Sequence, residues 1–91
     1  MTKADIVSEI SATTGVSKGV AMEVVEKFMD VVKEALANGE NVYLRGFGSF
    51  EVKARAQKIA RDIKNNAPLV VPAHNIPCFK PSPMLKISVA Q

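Results

Sequence analysis

The apolar positions of this chain change period once, and the change divides it in two. Ile6, Val7 and Ile10 fall on one face of a helix. Thr2 stands three residues before Asp5, a capping-box-like start that satisfies amide donors at a helix N-terminus. Gly15 ends this short helix, and Ser17 caps a longer one. In the second helix Val20, Val24, Val25, Phe28, Val32, Ala35 and Leu36 recur at three- and four-residue steps. Glu23, Glu26, Lys27, Asp30, Lys33 and Glu34 take much of the remaining surface. Asn38-Gly39 is a strong stop, because both residues tolerate the left-handed conformation of a C-cap.

Beyond that stop the period falls to two. Val42 and Leu44 read as a strand, and Gly46-Phe47-Gly48-Ser49 as a turn. From Phe50 to Gln57 the alternation is strict, with Phe50, Val52, Ala54 and Ala56 on one side and Glu51, Lys53, Arg55 and Gln57 on the other. It weakens after Lys58, where Ile59 and Ala60 break phase as a bulge would cause. A basic helix competes here: Arg55, Lys58, Arg61 and Lys64 are spaced by three, and Ile59 and Ile63 by four. The pattern leaves both readings open. Asn65-Asn66 suits a hairpin tip and Leu69-Val70-Val71 a return strand. Pro68, Pro72 and Pro77 remove ladder donors and put that strand at an edge. Ser82-Pro83 then supplies a cap and a first-turn proline for a short terminal helix carrying Met84, Leu85, Ile87 and Val89.

Composition bounds what such a chain can be. Its 91 residues suggest one domain, spanning 1–91, near the lower limit for a self-sufficient core. With no Trp and five aromatic residues, packing rests on aliphatic side chains and four Phe, and pairing with a second copy is the natural way to bury more. No stretch approaches the roughly 18 apolar residues of a membrane span, and the N-terminus lacks a signal peptide's apolar run. The lone Cys78 cannot form an intramolecular disulfide, which fits a cytoplasmic protein. Charge is divided unevenly. Residues 1–51 hold five cations against eight acids, a net −3, whereas residues 52–91 hold seven cations against Asp62 alone, a net +6. A split of that kind inside one domain points to a basic surface facing a polyanion.

Five of those cations, Lys53, Arg55, Lys58, Arg61 and Lys64, stand close together among alanines and amides. Alanine buries little, so the segment has no core of its own. A paired ribbon projecting from the body fits, and ten residues of strand reach about 33 Å, enough to follow a groove of duplex DNA. Lys and Arg on it would displace condensed counterions, giving strong, sequence-tolerant and salt-sensitive affinity.

On these residues the chain resembles the bacterial histone-like family of HU and IHF, from Met1 to about Lys86. The carriers are Lys3, the Gly46-Phe47-Gly48-Ser49-Phe50 turn, Arg55, Lys58 and Arg61, and Ile76-Pro77-Cys78-Phe79-Lys80-Pro81. The resemblance implies an α+β fold: an N-terminal helical hairpin, a three-stranded antiparallel sheet with an extended β-ribbon arm, and a short C-terminal helix. It also implies an intertwined dimer, as a homodimer or as a heterodimer with a paralogue. It selects ribbon over helix, with residues 1–51 as body and first strands, 52–76 as arm, and 77–91 as return strand and terminal helix. Carried over by position, Lys3, Lys53, Arg55, Lys58, Arg61, Lys64, Lys80 and Lys86 would face the phosphates or the groove of double-stranded DNA, the arms lying in the minor groove. Phe28, Phe47, Phe50 and Phe79 would fill the dimer core. Where family members commonly have a wedge proline that kinks the duplex, this chain has Ile63, also apolar. Asp62 departs too, and a carboxylate beside phosphates is repelled.

Other chemistries find no support in the sequence. His74 has no Cys or carboxylate cluster beside it, Cys78 reads as a small buried hydrophobe, and Met22 and Met29 belong to the helix pattern. Gly46-x-Gly48 is followed by neither a helix nor Lys-Ser/Thr, so no nucleotide loop is indicated. No catalytic residues, metal site, cofactor, small-molecule substrate or membrane partner is expected. The expected role is that of a non-enzymatic architectural protein in the cytoplasmic nucleoid, bending and compacting DNA. The alternative is a protein–protein assembly module of the same fold. Single-stranded nucleic acid is less attractive, because no aromatic residue lies between Val52 and Cys78 to stack a base.

Overall fold

A computed structural model describes residues 1–62 and 67–90. The helices are α1 (Lys3–Thr14), α2 (Lys18–Ala37) and α3 (Pro83–Val89), and the strands are β1 (Val42–Leu44), β2 (Gly48–Arg55), β3 (Lys58–Asp62), β4 (Ala67–Val71) and β5 (His74–Pro81). The chain divides into two compact units, Met1–Ala35 and Leu36–Gln91.

In the first unit the expected caps are present. The Asp5 amide donates to the Thr2 hydroxyl, and the Thr2 amide donates to the Asp5 carboxylate at 2.8 Å. That amide foremost, and then the Thr2 hydroxyl, which donates to the same carboxylate at 3.0 Å, hold the Asp5 carboxyl below the usual carboxylate range. Ser17 caps α2, its hydroxyl accepting from the Val20 amide and its carbonyl from the Ala21 amide. Burial inside a single chain is scant: among the described residues Val7 and Ala21 are the buried apolar ones, and no large side chain is fully enclosed. Along α2, Val20, Val24, Phe28 and Val31 stay about half exposed. The amphipathic stripe therefore has more apolar width than one chain covers.

The second unit is an antiparallel sheet ordered β1-β2-β5 and a separate pair, β3-β4. The first turn is tighter than the sequence suggested, since it closes by the Phe47 amide donating to the Leu44 carbonyl and β2 begins at Gly48. Gly46 takes φ 81° there, a conformation that costs a side chain dearly. Gly48 is required for another reason. A Cβ on it would lie 2.6 Å from both the Lys80 carbonyl oxygen and the Phe79 ring. Ser82 ties α3 to this turn, with its amide donating to the Phe47 carbonyl, its hydroxyl to the Gly46 carbonyl, and the Leu85 amide donating back to that hydroxyl.

The phase break also falls elsewhere than expected. β2 and β5 pair as far as Arg55 opposite His74, and the ladder stops at Ala56–Gln57. It resumes at Lys58 opposite Val71, so Ile59 and Ala60 lie inside a regular strand. The reason lies opposite the gap. Pro72 has no amide to donate, and its carbonyl accepts at 2.8 Å from His74 Nδ1, which must then carry the ring proton. Cys78 is half-buried rather than buried in the single chain.

Candidate nucleic-acid interface

Strand register sorts the side chains of the three-stranded sheet into two faces. Val42, Phe50 and Phe79 form one rung across all three strands, and Val52 continues that face. Phe79 touches Phe47 at 5.3 Å and Phe50 at 5.1 Å between ring centroids, both tilted at 48°. Even so, Phe47 and Phe79 keep nearly half their surface in water. Phe28, in the helical unit, does the same. Each unit taken by itself therefore leaves residues expected in a dimer core incompletely covered, Phe28 in the first and Phe47 and Phe79 in the second.

The opposite face carries Tyr43, Ser49 and Lys80 in one rung, Glu51 opposite Cys78 in the next, and Lys53 opposite Ile76 after that. Ser49 is nearly buried, and its hydroxyl donates to Glu51 at 2.6 Å. Lys53 Nζ lies 3.3 Å from the other Glu51 oxygen. The Ser49 hydrogen bond first, then Lys53, pull the Glu51 carboxyl below its usual range; desolvation opposes them and Lys80 adds a smaller attraction. Beyond the end of β1, Asn41 stands in for the missing strand, its Oδ1 accepting from the Val52 amide at 2.9 Å.

Of the cations expected at the interface, Arg55 and Lys58 are exposed on the outer part of the hairpin and meet no carboxylate among the described residues. Lys80 and Lys86 are also exposed, on β5 and α3. Lys3 is different: its Nζ bonds Glu26 at 2.9 Å within the helical unit, which offsets part of its charge. Lys53 is likewise partly offset by Glu51 at 3.3 Å. Arg61 lies in β3 opposite Pro68 by backbone register, and Ile63 and Lys64 lie outside the described residues. The two acids that engage expected DNA contacts, Glu26 and Glu51, were not foreseen. Glu51 was findable, two residues from Lys53 on the same strand face; Glu26, 23 residues from Lys3, was not.

Among the described residues there is no group of three or more His, Cys, Asp or Glu that could hold a metal ion, and no helix long and apolar enough to cross a membrane. A family model described as bacterial DNA-binding protein matches residues 1–90. The chain belongs to the bacterial DNA-binding protein family. It is 37% identical over 89 residues to DNA-binding protein HU of Geobacillus stearothermophilus, covering 98% of this chain and 99% of that one. It is 35% identical over 91 residues to integration host factor subunit alpha of Shewanella loihica, covering 100% and 93%. An Anabaena HU–DNA cocrystal structure superposes with TM-score 0.94 at 31% identity, over 99% of this chain and 98% of that chain. In this chain Lys58–Asp62 is a strand paired with β4, so the helical reading of the basic segment is set aside.

Proposed function

We propose that this chain is a non-enzymatic architectural protein of the bacterial nucleoid. It acts as a dimer that grips duplex DNA between β-ribbon arms, with little sequence preference, and bends and compacts it. The observation that carries this reading is the placement of exposed Arg55 and Lys58 on an antiparallel hairpin that runs on past the end of β1. Cations so placed attract phosphates without reading bases. Dimerisation is supported by the scant burial of the single chain, since Phe28, Phe47 and Phe79 gain a core only against a second copy. Residues 52–76 act as the arm. Lys3, Lys53, Arg55, Lys58, Arg61, Lys64, Lys80 and Lys86 supply phosphate or groove contacts, and Ile63 supplies the apolar wedge.

Titration of a duplex at two salt concentrations tests the phosphate-driven mode. With about six phosphates neutralised, affinity falls roughly a thousandfold between about 50 and 200 mM salt. A flat response would overturn the proposal. The wedge has its own test: Ile63→Ala leaves affinity within a few-fold but reduces bending read by energy transfer across a labelled duplex. An unchanged bend removes Ile63 from the mechanism.

A further inference from the structure

The long hairpin crosses its gap without losing register. Arg55 faces His74 on the inner side and Lys58 faces Val71 on the outer, so the same register puts Ala56 opposite Ala73 and Gln57 opposite Pro72. Two residues drop out of each strand in step, and none is inserted as a bulge would require. Elsewhere the ladder hydrogen bonds fix how one strand follows the other. Across the gap, the direction of the outer ribbon depends instead on the backbone torsions of these four residues. Pro72 removes one of them, because its ring fixes φ. The His74 side chain restrains the next. Its Nδ1, 2.8 Å from the Pro72 carbonyl oxygen, closes a hydrogen-bonded ring that spans both torsions of Ala73 and φ of His74. His74 is exposed, and an exposed carbonyl loses little by bonding water instead. Satisfying that carbonyl therefore does not account for the bond, whereas restraining the backbone does.

Resting on the duplex-bending reading above, we propose that His74 is a positioning residue for bending. Its Nδ1–H is a strut that sets the angle at which β3–β4 leaves the three-stranded sheet. His74 acts through the backbone it restrains and not by touching the duplex. The angle matters because arms that close on a duplex bend it along the direction they themselves take. Narrowing the directions open to the free ribbon also lowers the ordering cost of binding. The strut requires an N–H donor on the atom after Cγ. Histidine Nδ1 and asparagine Nδ2 both supply one, whereas phenylalanine keeps an aromatic ring at that place and supplies none.

The test compares full-length His74→Phe and His74→Asn with the parent, first free and then on a labelled mixed-sequence duplex. In the free His74→Phe protein, residual dipolar couplings show β3–β4 still paired but less well ordered relative to the sheet. Its amides there exchange roughly two- to tenfold faster, the measure of one lost hydrogen bond. On the duplex, energy transfer reports a smaller or broader bend. Affinity stays within about threefold and the salt slope is unchanged, because no cation has been removed. His74→Asn restores the couplings, the exchange rates and the bend. A free His74→Phe protein indistinguishable from the parent would overturn the proposal. So would equal impairment in both variants, which would assign the effect to the ring and not to the donor. A changed salt slope would make His74 a phosphate contact instead. A ribbon loosened in the free protein with the bend unaltered would strike out the role in bending. A parent protein that binds duplex without bending it would defeat the bending reading itself, while the free-protein comparison would still decide whether the strut exists.

Discussion

The two stretches of the long hairpin pair their backbones alike and differ in what their side chains touch. Near the sheet, Phe79 packs against Phe47 and Phe50, its ring pressed so close to Gly48 that a methyl group would not fit. Ser49 is nearly buried and bonded to Glu51, which in turn meets Lys53. Farther out, Ile59 opposes Val70 with both side chains in water, and Arg55 and Lys58 are exposed. Regular strand pairing is thus no sign of a core. Where side chains interlock, the strand is held by the protein; where they do not, its side chains are available to a ligand.

Substitutions on either side of the Ala56–Gln57 gap turn that contrast into measurements. The largest effect belongs to Phe79→Ala, which lowers the unfolding free energy by about 3 kcal/mol in urea titration. A loss well under that would mean that no second copy completes the aromatic cluster. Gly48→Ala comes next, at about 1–3 kcal/mol by the same assay, because one of the obstructing atoms is the Lys80 backbone carbonyl, which cannot swing aside as a side chain can. On the outer stretch, Ile59→Thr in the free protein changes stability by less than about 0.5 kcal/mol. A larger loss there would show that the ribbon packs on something and would erase the contrast. Arg55→Ala leaves stability alone and lowers the salt slope of duplex binding by about one.

The smallest effect concerns pH. Glu51 and Asp5 both have folded-state pKa values depressed below their ordinary ones. Each therefore contributes stability that is complete above the usual carboxylate range, about pH 4–5, and is lost as pH falls through it to the folded value. Both groups are exposed to solvent screening, so Glu51→Gln and Asp5→Asn each flatten the acid limb of a stability–pH curve only modestly.

Much of this molecule could be read from its residues in order. The Thr2–Asp5 box, the Ser17 cap, the Ser82-Pro83 start and the change from helical to alternating period depend on neighbours within a few positions. Short-range chemistry of that kind is the same wherever the segment ends up. The cationic segment was equally plain, because charge is a matter of composition. Its secondary structure was not, since Ala, Arg and Lys at those spacings suit helix and strand alike, and the family resemblance was needed to choose. Three matters had to await the folded chain. The ladder breaks at Ala56–Gln57 because Pro72 lies opposite, in a segment that only pairing brings near. Lys3 on α1 is engaged by Glu26 on α2, 23 residues away. Gly48 has to be glycine because of an aromatic ring 31 positions later. In each case the deciding contact joins residues far apart along the backbone, and contacts of that kind exist only once the chain has folded.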